Sequence, residues 1–134
     1  MEKEMDEKTG KRILLVEDEN IIAIVVRKVL KSEGYAVTLA KSGEEALDMC
    51  SAEDGFDLVV MDVDLGRGMN GIEAAKEIRG LRALPLVFHT TYEAEDFKEE
   101  TRGVGAFSWV SKSPDYSRLL RAVEREMGGH ALAG

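Results

Sequence analysis

With 134 residues, 44% hydrophobic and 33% charged, the chain has the size and balance of a single globular domain, which excludes an intrinsically disordered polypeptide. Its net charge of −8 argues against direct nucleic-acid binding, because a phosphate backbone would repel that field. One cysteine, Cys50, excludes an intrachain disulfide; no apolar run is long enough to span a membrane, so a reducing cytoplasmic setting is expected.

Residues 1–10 are almost wholly polar and read as a flexible leader without a signal-peptide apolar stretch. Ile13 to Val16 is a continuous apolar run ending in acids, the pattern of a buried strand. Asn20 is the expected N-cap of a helix carrying Ile22, Val25, Val26, Val29 and Leu30 on one face, and Gly34 ends it. Tyr35 to Ala40 reads as a second strand. Ser42 and Glu45 have capping-box spacing and open a helix bearing Ala46, Leu47 and Cys50. Phe56 to Met61 is a third strand, terminated by Asp62. Residues 64–71, with three glycines, form a loop before a helix over Ile72 to Ile78.

Pro85 to Phe88 starts the fourth strand, with proline where a strand can begin. Glu93 to Arg102 reads as a short polar helix and Ala106 to Val110 as the fifth strand. Ser113 is the expected cap and Pro114 the first turn of the last helix, whose buried stripe is Leu119, Leu120, Val123 and Met127. A domain over 11–127 is then followed by a flexible tail over 128–134. Strict alternation of five strands and five helices predicts a doubly wound parallel sheet of flavodoxin-like order 2-1-3-4-5, with helices on both faces. Ligands of such sheets bind beyond the carboxyl ends of the strands.

Those ends carry Glu17, Asp18 and Glu19 after the first strand and Asp62 after the third. Thr90 and Thr91 follow the fourth, and Ser111 and Lys112 the fifth. Taken singly, each has an ordinary explanation: acids cap helices, and a lysine or threonine at a strand end is common. Together, clustered carboxylates without a nearby ligating His or Cys suit a hard cation such as Mg²⁺. A carboxylate beside that cation and an ammonium can act as a nucleophile toward phosphorus.

The run Ile13 to Glu19, the strand end Val59-Val60-Met61-Asp62, the pair His89-Thr90 and the segment Gly105 to Lys112 resemble two-component response-regulator receiver domains. The similarity covers about residues 11–127, and the spacings of 28 positions from Asp62 to Thr90 and 22 from Thr90 to Lys112 suit the family pattern. The resemblance implies that Asp62 is the phosphorylated aspartate. Asp18 would ligate Mg²⁺ (or Mn²⁺ as a substitute) together with Asp62, Glu17 would hold a metal-bound water, and the backbone carbonyl of Asp64 would complete the protein ligands. Lys112 would pair with the phosphoryl group. Thr90 and Trp109 would form the switch.

The implied partner is a sensor histidine kinase or a histidine phosphotransfer protein, without direct nucleic-acid or membrane contact. Self-phosphorylation from a phosphodonor and slow self-dephosphorylation are expected, but no classical enzyme activity. The face of the fourth helix, fifth strand and last helix would change its partner affinity, and a homodimer through that face is left open.

The chain departs from the family pattern in four places. The loop after Asp62 lacks the usual proline and is one residue longer. Ser113 separates Lys112 from Pro114. Thr91 stands where a smaller residue is usual, and Trp109 where tyrosine or phenylalanine is usual. One alternative is therefore a receiver-fold interaction module that is not phosphorylated. Another is a DxD phosphatase built on Asp62-Val63-Asp64, although that family places the motif after its first strand. Cys50 reads as core filler, His89 as a packed or hydrogen-bonded strand histidine and His130 as an exposed bystander.

Overall fold

The computed structural model describes residues 10–52 and 55–129; most of the expected leader, His130 and the end of the expected tail lie outside them. Five strands alternate with five helices, as the sequence predicts. They are β1 (Arg12–Val16), α1 (Asn20–Ser32), β2 (Ala36–Ala40), α2 (Gly43–Ala52) and β3 (Leu58–Met61), then α3 (Gly71–Leu81), β4 (Leu86–Thr90), α4 (Lys98–Thr101), β5 (Ser108–Ser111) and α5 (Ser117–Glu124). All four strand pairings are parallel, and the sheet order is β2-β1-β3-β4-β5. The expected fold class is therefore the one observed.

Successive side chains on a strand point to opposite faces, so each central strand feeds two separate cores. Leu14, Val16, Val59, Met61 and Phe88 pack with Ala46, Cys50, Ile72 and Ile78 on one face. Ile13, Leu15, Leu58, Val60 and Val87 pack with Val26, Leu30, Leu119 and Val123 on the other. Cys50 is core filler, as its position on the helix suggests. Among the described residues, no helix is long and apolar enough to cross a membrane.

Element ends differ from expectation where side chains compete for backbone partners. Asn20 is the first residue of α1 rather than its cap; Glu19 is the cap and makes no side-chain capping bond. Asp57 stays out of β3 because its carboxylate accepts from the Arg12 N–H at 2.8 Å. The fourth strand runs from Leu86 to Thr90, beginning one residue after Pro85, while β5 begins at Ser108 rather than Ala106. The short polar helix resolves into a 3₁₀ turn, Ala94–Phe97, followed by a single α-turn, with no buried residue in either. Ser113 does not cap α5. Its hydroxyl closes a turn with Asp115, whose Oδ1 accepts from the Ser117 N–H at 3.0 Å. Beyond α5, a wider helical turn covers Arg125–Gly129.

The helix α3 begins beside the end of β3. Gly71 donates its N–H to the Val63 carbonyl at 2.8 Å, and a Cβ at Gly71 would overlap the Asp62 carbonyl oxygen. Backbone oxygen cannot yield as a flexible side chain can, so this position requires glycine. A Cβ at Gly80, in the same helix, would meet nothing within 4 Å. Gly71→Ala should destabilise the fold by roughly 1–3 kcal/mol through overpacking. Gly80→Ala should stabilise it by up to about 1 kcal/mol through helix propensity. Urea unfolding of both variants checks this pair, and equal midpoints would refute the clash.

Candidate functional site

The ladder hydrogen bonds continue one residue past three strands and so set the site. Glu17 donates its N–H to the Ala40 carbonyl at 3.0 Å, Asp62 to Val16 at 3.1 Å and Lys112 to Thr90 at 2.9 Å. Parallel register therefore brings two acids and one lysine to the carboxyl edge of the sheet, although they are far apart in sequence. The Lys112 ammonium lies 2.8 Å from Glu17 Oε1 and 2.8 Å from Asp62 Oδ2. Both carboxylates are buried, with 2% and 5% of their side chains exposed.

Burial disfavours charge on both partners of this cluster. It pushes Glu17 up to about 7, and repulsion from Asp62 adds to that, while the hydrogen bond and charge of Lys112 pull the other way. Burial also works against the Lys112 ammonium. Hydrogen bonds to Asp62 and Glu17, with their attraction, outweigh it and hold Lys112 above its usual pKa.

Asp18 completes the acidic group and is exposed. Carboxylate oxygens of Glu17, Asp18 and Asp62 all lie within 4.8 Å of one another. Three acids thus cluster around a site where one ammonium pairs with only two of them, and the donors are all oxygen. This excess charge, in an all-oxygen setting, fits a hard divalent ion such as Mg²⁺. Asp64 borders the same cleft; its N–H reaches Asp62 Oδ1 at 3.3 Å and its own Oδ1 accepts from Gly66 at 3.3 Å. The cleft holds about 700 Å³. Asp18, Asp62, Asp64 and Lys112 line it together with Ile22, His89, Pro114 and Tyr116.

The structure brings Glu17, Asp18, Asp62, Asp64 and Lys112 together. Thr90 it places differently: its side chain is fully buried, and Thr91 rather than Thr90 lines the cleft. Thr90 Oγ1 accepts a long hydrogen bond, 3.4 Å, from the Tyr92 N–H. Trp109 is half-buried against Phe88, and its Nε1 donates to the Tyr92 carbonyl at 2.9 Å. The two expected switch residues therefore meet at Tyr92 and not each other.

Two supporting devices escaped sequence reasoning. Asn70 and Glu73 form a reciprocal capping box at the start of α3, an N-x-x-E spacing that could have been read directly. Glu44 reaches from α2 to accept the Met69 N–H at 2.9 Å, which ties down the loop after β3. That contact spans 25 positions and has no local signal.

The profile of the response regulator receiver domain matches residues 13–124. The transcriptional regulatory protein PdtaR of Mycobacterium tuberculosis is 35% identical over 120 residues, which cover 89% of this chain and 58% of that protein. ZraR of Escherichia coli is 34% identical over 116 residues, 86% of this chain and 26% of its own length. The chain thus spans less than two thirds of each of these two relatives. Among solved structures, the response regulator TrrA of Thermotoga maritima, in complex with Mg²⁺ and BeF, superposes with a TM-score of 0.78 at 31% identity, covering 87% of this chain and 98% of that one. The N-terminal domain of a response regulator/sensory box/GGDEF protein from Carboxydothermus hydrogenoformans gives 0.84 at 34% identity, covering 92% and 98%.

The raised Glu17 pKa has a definite sign in folding. Between about 4.5 and about 7 the native state holds the Glu17 proton and the unfolded chain releases it, so stability falls as pH rises through that window. Without divalent metal, Glu17→Gln should therefore be more stable than wild type at pH 8, by about 1–2 kcal/mol, and equal to it at pH 4. Urea unfolding in EDTA at the two pH values checks this.

Proposed function

The chain belongs to the response-regulator receiver-domain family, and we propose that it accepts a phosphoryl group on Asp62 from a phosphohistidine of a sensor kinase or a histidine phosphotransfer protein. One observation carries this reading: a buried Asp62 carboxylate shares the Lys112 ammonium with Glu17 inside an all-oxygen acidic cluster. Asp62 attacks phosphorus, the bond from phosphorus to the donor imidazole breaks, and that electron pair leaves with the imidazole. Lys112, already beside Asp62, takes a phosphoryl oxygen as its partner. Asp18 and Asp62, with the Asp64 carbonyl, would hold Mg²⁺ (or Mn²⁺), and Glu17 would bind through a water. When bound, the ion neutralises charge on the transferring group.

The product carries nearly two negative charges in place of one. Thr90 then exchanges its weak bond to the Tyr92 N–H for a phosphoryl oxygen, and release of Tyr92 disturbs the Trp109 anchor. The face of α4, β5 and α5 changes its affinity for partners, a second copy of the chain among them. Domain limits of 11–127, a cytoplasmic location and self-dephosphorylation without classical enzyme activity belong to the same reading.

Incubation with Mg²⁺ and acetyl phosphate should add one phosphoryl group to the wild type, seen by mass or Phos-tag shift, and none to Asp62→Asn. Persistence of the shift in the variant would sink the assignment. Thr91 at the cleft leaves a non-phosphorylated interaction module as the rival. Beryllofluoride with Mg²⁺ separates the two, since amide shifts around Asp62 are expected only for the receiver that turns over. The same reagent should change Trp109 fluorescence in wild type and much less in Thr90→Val; unchanged wild-type emission would remove Trp109 from the switch.

A further inference from the structure

His89 is the most buried of the polar groups of the cleft that the mechanism above leaves without a task. It is only 3% exposed, yet it lines the cleft with Asp62 and Lys112. Strand alternation puts it on the face opposite Phe88 and Thr90, level with Val110 of β5 and with its ring centroid 6.3 Å from that of Tyr116. Among the described residues its ring makes no hydrogen bond; its only polar influences are the charges of Lys112 and Asp62. Val87, two residues earlier on the same face, belongs to an apolar cluster, so an aliphatic residue would suit this position for packing. Among the described residues Arg82 Nε is the only buried side-chain polar atom without a partner, so the His89 nitrogens, which bond no protein group, reach the water of the cleft. Burial, reinforced by the Lys112 charge, lowers the His89 pKa to about 4, so the ring is neutral and offers one acceptor and one N–H.

We propose that His89 is a further catalytic residue of this site: its unpartnered ring nitrogen accepts a hydrogen bond from the water that hydrolyses phosphorylated Asp62, and so shortens the life of the signal. This rests on the phospho-acceptor reading above. The water oxygen bonds to phosphorus. The bond from phosphorus to the Asp62 oxygen breaks, and its electron pair stays on the carboxylate. Both hydrogens of the water leave with the phosphate as dihydrogen phosphate. His89 orients the water and keeps no proton, as suits a weakly basic ring. Hydration of the cleft thereby gives the imidazole the partner that the protein withholds.

The test follows decay of the phosphoprotein after acetyl phosphate is removed, in Mg²⁺ buffer, for wild type, His89→Val and His89→Gln. His89→Val preserves packing and should lose the phosphoryl group about tenfold more slowly, the worth of about one hydrogen bond. His89→Gln, whose amide oxygen can accept from water, should recover to within about threefold of wild type. Mg²⁺–beryllofluoride binding should be the same in all three, which a merely structural role would not leave intact. Decay of His89→Val at the wild-type rate, or equal slowing in the Val and Gln variants, overturns the His89 proposal alone. Failure of the wild type to label at all overturns the phospho-acceptor reading and this proposal with it.

Discussion

The ammonium of Lys112 shared between Glu17 and Asp62 is the interaction around which the site is organised. Two buried carboxylates cannot sit side by side cheaply, and the ammonium between them offsets part of that cost. The sheet creates the problem as well as its solution. Parallel pairing of β1, β3, β4 and β5 aligns their ends, so acids that end two strands meet the lysine that ends a third. The ammonium compensates only part of the negative charge. Burial, with repulsion from Asp62 added, raises the pKa of Glu17, and the surplus of carboxylates over ammonium makes a divalent cation welcome.

The surroundings hold this charge cluster without help from a proline in the loop after β3. Gly71 lets α3 start against the Asp62 backbone, Asn70 and Glu73 fix the first turn of that helix, and Glu44 grips the loop from α2. Side-chain hydrogen bonds here stand in for covalent stiffness. On the other side of β4, the bonds of Tyr92 to Thr90 and Trp109 hold the following loop more loosely, since one of them is long.

Most of the architecture was legible because its signal is local. Runs such as Ile13 to Val16 and Val59 to Met61 are apolar on both faces, which only central parallel strands require, and each run stops at an acid that the topology then collects. Positions decided by long-range partners were not legible. Asp57 reads as strand but spends its carboxylate on the Arg12 N–H, 45 positions away. Ser113 has a cap's chemistry, yet Asp115 takes the N–H at the start of α5. His89 reads in sequence as packed or hydrogen-bonded, and only its place beside the cleft, with no protein partner for its ring, distinguishes it. The link between Thr90 and Trp109 passes through the backbone of Tyr92 and leaves no trace in residue identity.

The segment between β4 and β5 contributes no buried residue from its 3₁₀ turn or from α4. Its helix is a single turn, too short to sustain itself without packing. Such a segment sits at the bottom of the ladder of local opening energies, far below the strands it joins. Amide exchange there would run ahead of the core by orders of magnitude, and melting its 3₁₀ turn and α4 would remove no buried residue from either apolar cluster. The domain thus carries a hinge-like reservoir of disorder next to its most constrained charges. A modest electrostatic change at the sheet edge can redistribute conformers in this one stretch while the rest of the fold stays rigid.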